Sequence, residues 1–201
     1  MISPIVSTKR TYLRSIRTAD IDRGWLKWIN DPEITKYLTH QGRSTREFLK
    51  NYLKSSTLPS AYMFAVCRKE SDKYIGNARI HSLNWRQKRG AYGRMIGEKN
   101  QHGIGIGTEV LGLIAYVAFE ILELNRIETG VISANVASIR SNEKAGMIKE
   151  GVFRESADIA GTFFDSIRFG MTINDYNKTD WSENITLHTD NIDKAMETTD
   201  F

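Results

Sequence analysis

Apolar residues recur along this chain with two different periods, and the period changes from segment to segment. Residues 10–17, Arg-Thr-Tyr-Leu-Arg-Ser-Ile-Arg, alternate and predict a first strand. Thr18-Ala-Asp20 opens a helix in which Trp25, Leu26 and Ile29 fall at helical spacing, and Asn30-Asp31-Pro32 ends it. Ser44-Thr45 followed by Glu47 begins a second helix to about Lys54, with Phe48, Leu49, Tyr52 and Leu53 as its buried face. Two strands follow, Tyr62–Arg68 and Tyr74–Leu83, joined by a turn at Ser71-Asp72-Lys73. Trp85 to Arg89 is polar and basic and reads as a loop, and Gly90 to Gly97 is the fourth strand.

Thr108–Leu124 is apolar nearly all round, so this helix must be buried against the sheet. Arg126–Ile132 is the fifth strand, parallel to the fourth if the crossover has the usual right hand. Asn135 or Ser138 begins the next helix, and Gly146 is placed to end it in a left-handed turn. Met147–Phe153 and Thr162–Thr172 pair as a closing hairpin. The pattern is therefore a single α/β (α+β) domain over residues 1–176, a mixed sheet of about seven strands with about four helices. From 177 to 201 the composition turns polar and acidic with little apolar periodicity, which predicts a mobile or loosely docked tail.

Charge and composition narrow the function classes. The net charge is +4, but residues 176–201 carry six acids against two lysines, so the first 175 residues carry +8. A basic body attracts nucleic acid or a polyanionic ligand. The Lys and Arg are dispersed, which makes nucleic acid the weaker explanation. No run of eighteen apolar residues points to a membrane span, and Met1-Ile-Ser-Pro-Ile-Val is not the start of a secretion signal. The lone Cys67 cannot form an internal disulfide and suits a reducing cytoplasm. His40, His81, His102 and His188 lack ligand spacing, so no metal is expected.

Chemistry concentrates between Arg94 and Gly151. Gly103, Gly105 and Gly107 alternate with isoleucines just before the long apolar helix, where glycine lets backbone approach a ligand and a helix N-terminus favours an anion. A G-x-G-x-x-G loop fails, because its last position falls on Thr108 or Val110. A P-loop fails because Gly107 is followed by Thr108 and Glu109. His102-Gly-Ile-Gly105-Ile-Gly107 instead resembles the Gln/Arg-x-x-Gly-x-Gly/Ala loop of the GNAT acetyltransferases, with His102 where Gln or Arg is usual. Asn135-x-x-Ser138-x-Arg140-x-x-Glu143-Lys144-x-Gly146-Met147, then Glu150-Gly151-Val-Phe-Arg154, resembles the branch that includes the ribosomal-protein N-terminal acetyltransferases. The resemblance covers about residues 10–176.

That resemblance implies acetyl-CoA as cosubstrate and a sheet splayed between its fourth and fifth strands. It implies cofactor contacts from Met95, Ile96 and Gly97 on the strand, and from His102, Gly103, Ile104, Gly105, Ile106, Gly107 and Thr108 in the loop. On the following helix it implies Asn135, Ser138, Arg140 and Asn142. The alternatives are a surface turn for His102 and a helix cap for Asn135. Many members place a Tyr at position 142 to protonate the departing sulfur. Here it is Asn142, so Ser138 is the expected substitute, with Asn142 second as a hydrogen-bond donor. Glu98 is the candidate general base, with His81 and Asp165 as competitors, and an acceptor with a low amine pKa needs none.

The phrase Trp28-Ile-Asn30-Asp-Pro-Glu-Ile-Thr-Lys-Tyr37 resembles the acceptor wall of members that acetylate small amines and amino sugars. With His81, Trp85 and Tyr92 it makes up the expected acceptor set, against the plainer reading that these residues only pack. The expected activity is acetyl transfer to a primary amine, an amino sugar or sugar nucleotide, by a cytoplasmic protein compatible with a homodimer. The alternatives are a protein N-terminal acetyltransferase, a non-catalytic coenzyme A sensor and a basic RNA-binding domain.

Overall fold

The computed structural model describes residues 5–38, 43–56 and 59–188. Among these, nine strands share one sheet: β1 (Val6–Ser7), β2 (Thr11–Ser15), β3 (Ala61–Arg68), β4 (Tyr74–Asn84), β5 (Arg89–Ile96), β6 (Arg126–Ile132), β7 (Ile148–Ile159), β8 (Thr162–Thr172) and β9 (Thr186–Leu187). Their spatial order is β7-β8-β6-β5-β4-β3-β2-β1-β9. The β5–β6 pair is parallel and the other pairs are antiparallel.

Strand β3 shows why the sheet is covered on both sides. Tyr62, Phe64 and Val66 enter one apolar cluster, and Met63, Ala65 and Cys67 enter the other, as period two requires of a strand buried on both faces. The first face is covered by α5 (Ile106–Tyr116) and the π-helical turn Val117–Ile121 that continues it. Val110, Leu111, Leu113, Ile114 and Ala115 there are completely buried, and each large one contributes about 1.5–3 kcal/mol. This helix begins two residues before the expected Thr108, because Gly105 takes the N-cap.

The second face is covered by a broken helical stretch and by α4 (Arg46–Ser55). That stretch runs as α1 (Thr18–Asp20), a π-helical turn Ile21–Trp25, α2 (Leu26–Ile29) and α3 (Pro32–Thr35). The continuous helix expected over 18–29 breaks at Gly24, where a Cβ would stand 2.6 Å from the Trp28 ring. Asp20 fixes the stretch to β2: its two oxygens accept from Arg14 Nη1 and Nη2 at 2.7 Å, and both side chains are buried. Thr45 caps α4 as expected, accepting from Phe48 N.

After β6, Asn135 caps α6 (Val136–Lys144), and Gly146, at φ +98°, reverses the chain into β7 as expected. The closing hairpin is longer than expected in its first strand and turns at Ala160-Gly161, both with positive φ. The expected count of seven strands misses β1 and β9, two-residue strands too short for a periodic signal.

The expected loose tail is corrected over residues 177–188. After α7 (Ile173–Tyr176), α8 (Trp181–Asn184) lays the Trp181 ring on Gly112 of α5, 2.3 Å from where a Cβ would stand. Trp181 Nε1 donates to Ala145 O at 3.0 Å, Ile185 is buried, and β9 pairs with β1. Residues 189–201 of the predicted tail lie outside the described residues.

Candidate active site

Strands β5 and β6 pair over three residues only, Arg89↔Arg126, Gly90↔Ile127 and Ala91↔Glu128. Beyond them β5 runs to Ile96 along β4, and β6 runs to Ile132 along β8, so a gap opens between the two. Gly97 N donates to Ile75 O at 2.8 Å. Antiparallel alternation then turns the Met95 and Gly97 N–H groups toward β4, and those of Arg94 and Ile96 into the gap. Of the three positions Met95, Ile96 and Gly97, the main-chain donor facing the gap is Ile96. Gly97 has a packing role, since a Cβ there would stand 1.9 Å from the Trp28 ring.

The glycine loop lies at the mouth of this gap. Gly103 (φ +76°) and Gly105 (φ +85°) are left-handed, and nothing lies within 4 Å of a Cβ at Gly103. The first backbone bond of α5 is Glu109 N to Gly105 O, 3.2 Å, so the N–H groups of Ile106, Gly107 and Thr108 precede it and have no intrahelical acceptor. Only their main chain is offered: the Ile106 side chain is fully buried, while Ile104 stands half exposed.

Two arginines flank these donors. Arg10 Nη1 donates to Ile104 O at 2.9 Å and its Nε to Glu109 Oε2 at 2.7 Å. Arg94 Nε lies 3.3 Å from where a Cβ on Gly107 would be. Glu109 is the one acid of the first turn; burial works against its charge, but hydrogen bonds from Thr8, Thr11 and Arg10 outweigh this and lower its pKa. The cradle is thus open, positive and rich in unpaired N–H groups, which fits the pyrophosphate of coenzyme A. His102 does not complete it as expected: its exposed ring uses Nε2 to donate to Ile96 O at 2.7 Å, securing the end of β5.

Helix α6 supplies the other wall. Asn135 Oδ1 accepts from Ser138 N at 3.1 Å, the helix-cap alternative. Ser138 is partly exposed one turn before Asn142, Arg140 points to solvent, and Ser141 Oγ lies 3.1 Å from Thr108 Oγ1. Asn142 is fully buried. Its Oδ1 accepts from the Tyr92 hydroxyl and from Arg94 Nη1 at 3.0 Å, and its Nδ2 has no partner. A tyrosine hydroxyl therefore does stand beside position 142, but it arrives from β5. Burial, ahead of the opposing Arg94 charge, raises its pKa.

Across the sheet from α5 is a cavity of about 310 Å³. Trp25, Phe48 and Tyr52 form its aromatic wall, Met63 and Met95 part of its floor, and Asn77 and Arg79 its polar side chains. Trp25 and Tyr52 meet edge to face with centroids 6.0 Å apart. The lining reaches Gly93, Arg94 and Met95 of β5, so the cavity and the gap share one strand.

The expected acceptor set is not brought together there. Trp28 is buried between Gly24 and Gly97 against Tyr74, at a centroid distance of 4.8 Å. Asn30 ties two chain segments through Leu26 O, Ser44 O and Ser44 N. Tyr37 lies beneath Lys36, and Trp85 is exposed with Nε1 donating to Pro59 O. Tyr92 faces α6 instead. His81 pairs with Ser82 Oγ, and burial followed by the Arg79 charge takes its pKa down to about 4, which makes it a weak base. Glu98 is held by Lys73 Nζ at 2.6 Å, and Asp165 accepts from Glu155 N; neither lines the cavity.

Arg10, Arg79, Arg94 and Ser141 were not singled out from the sequence. Period two on β5 puts Arg94 on the same face as Tyr92, a signal that was available. Arg10 and Arg79 reach their places only through long-range packing. Among the described residues no helix is long and apolar enough to cross a membrane, and no three metal-ligating side chains cluster.

Residues 10–148 match the model of the acetyltransferase (GNAT) domain family. Over 166 residues the chain is 32% identical to the probable N-acetyltransferase YjcK of Bacillus subtilis (strain 168), covering 78% of this chain and 91% of that protein. It is 28% identical over 173 residues to the uncharacterized N-acetyltransferase p20 of Bacillus licheniformis, covering 84% of this chain and 96% of that protein. The fold is similar to that of spermidine N-acetyltransferase from Vibrio cholerae in complex with CoA and spermine, with a TM-score of 0.77 at 20% identity, covering 84% of this chain and 98% of that one.

Proposed function

This chain belongs to the GNAT acetyltransferase family, and we propose on that premise that it acetylates a small primary amine, an amino sugar or sugar nucleotide, in the cytoplasm. The observation that carries the reading is the three-residue β5–β6 pairing, which leaves a gap between a pyrophosphate cradle and a cavity on the other face of the sheet. Acetyl-CoA supplies the acetyl group as an activated thioester. The N–H groups of Ile106, Gly107 and Thr108, with Arg10 and Arg94, hold its phosphates. The Ile96 N–H, turned into the gap, offers a donor where negative charge develops on the carbonyl oxygen, a contribution of several kcal/mol at such sites.

Proton transfer falls to few groups. Ser138, one turn from Asn142, and the Tyr92 hydroxyl are the donors on the sulfur side. No carboxylate lines the cavity among the described residues, so the amine loses its proton to water. A sugar amine suits this better than a lysine, because it is less basic.

The test offers acetyl-CoA with amino sugars, sugar nucleotides and ribosomal N-terminal peptides, and follows release of the free thiol. Turnover with the small amines is the expected result. Turnover with peptides alone would select the N-terminal reading, and binding of acetyl-CoA with no turnover on any amine would select the sensor.

A further inference from the structure

We propose that the acceptor amine carries an oxyanion, a carboxylate or a phosphate, and that Arg79 binds it in the cavity between α4 and the sheet. This rests on the acetyl-transfer reading for its word acceptor, but the binding claim stands on the cavity itself. The described lining holds no carboxylate, and Arg79 supplies its guanidinium; Arg94 reaches the lining from β5, but its side chain lies on the opposite face with Tyr92. Arg94 is engaged with the Tyr92 hydroxyl and Asn142. Arg79 has one hydrogen-bond acceptor among the described residues, the Tyr52 hydroxyl, over whose ring it lies at 5.6 Å, and no ion pair.

The backbone makes room for this arrangement. Arg79 faces Gly93 across the β4–β5 ladder, and its Nε lies 3.6 Å from where a Cβ on Gly93 would be. Partial burial takes some water from the guanidinium, which lowers its pKa, without supplying an opposite charge. An ionised group left so is costly until an anion pairs with it, and the planar fork matches a carboxylate or phosphate edge.

Asn77 supplies a second donor on the same wall. Its Oδ1 accepts from Tyr74 Oη at 2.5 Å, which leaves Nδ2 as the amide group with no partner among the described residues. The aromatic wall of Trp25 and Tyr52 is left for the body of the ligand. A polycation meets the Arg79 charge here with no carboxylate in the described lining to offset it, so the acceptor named for the similar Vibrio enzyme does not suit this cavity.

Titration calorimetry on the CoA-saturated protein tests the claim with matched pairs: glucosamine 6-phosphate against glucosamine, and phenylalanine against phenylalaninamide, with spermidine as the cation. At least one anionic member should bind about tenfold or more tighter than its uncharged partner. Arg79→Gln should erase that preference, and Arg79→Lys, which keeps the charge without the fork, should retain part of it and serves if the first variant melts. Preference in the phosphate pair assigns a sugar phosphate, and preference in the carboxylate pair an amino acid. Equal binding within both pairs, tighter spermidine binding, survival of the preference in Arg79→Gln, or no binding of either anion at millimolar concentration would overturn the proposal. A bound anionic amine that yields no thiol from acetyl-CoA would instead defeat the acetyl-transfer reading and leave the oxyanion site standing.

Discussion

The two sides of the β5–β6 gap are made of different material. On the proposed cofactor side the phosphate cradle is mainly main-chain N–H donors, set within six residues by left-handed glycines and the first turn of one helix, with Arg10 and Arg94 beside them. On the acceptor side they are side chains brought from the π-helical turn, α4, β3, β4 and β5, spanning Trp25 to Met95. A main-chain site depends on backbone angles and tolerates changes in its side chains. A side-chain site depends on packing, and its specificity changes with single residues.

The sharpest break in this comparison comes from backbone changes on the cofactor side. Gly105→Val forces a β-branched residue into φ +85°, so acetyl-CoA affinity should fall about a hundredfold or more in a folded protein, as calorimetry would show. Gly107→Val should cost about tenfold, because its Cβ meets the ends of Ser141 and Arg94, which can move. Equal affinity in a folded Gly105→Val would remove the loop from the site.

The acceptor side should break through packing. Gly97→Ala drives a methyl into the Trp28 ring, and should lower stability by about 3 kcal/mol in denaturant unfolding while the folded fraction still binds acetyl-CoA. Wild-type stability would mean that the Trp28 ring does not press on Gly97.

Smaller effects separate the proton donors. Ser138→Ala should lower kcat about tenfold with little change in acetyl-CoA affinity, and Tyr92→Phe should do so less if Ser138 is the donor. A larger loss in Tyr92→Phe would transfer the role to the β5 hydroxyl beside Asn142.

The smallest effect is one of pH. The Glu109 pKa is lower in the fold than its ordinary 4.5, so its contribution to stability is present above pH 4.5 and is lost as pH falls through the folded value. Melting temperature should therefore hold from neutrality to about pH 5 and decline below 4.5, and Thr11→Val, which brings the folded pKa nearer its ordinary value, should make that decline shallower. A decline unchanged in Thr11→Val would take Glu109 out of the explanation.

What could be read from the sequence follows the same division. The glycine spacing, the apolar helix after it and the alternation in β3 each act within a few residues, and the splay came with the family resemblance. Gly146 ending α6 was equally local. The cavity was not legible, because Asn77 and Arg79 acquire meaning only when α4, far away in sequence, closes over them. Trp28 and Tyr37 stand together in the 28–37 phrase, yet one fills the space above two glycines and the other lies against Lys36. The docking of the segment after Tyr176 is not legible in the sequence because it rests on isolated contacts, Trp181 on Gly112, the buried Ile185 and the two-residue β9, which have no period.

Amide hydrogen exchange with and without acetyl-CoA tests the central claim most directly. If main-chain donors in and beside the gap hold the thioester carrier, the N–H groups of Ile96, Ile106, Gly107 and Thr108 should slow on binding, while the fully paired β6–β8 ladder stays as it was. Unchanged exchange at those four amides under saturating acetyl-CoA, or protection appearing only elsewhere, would contradict it.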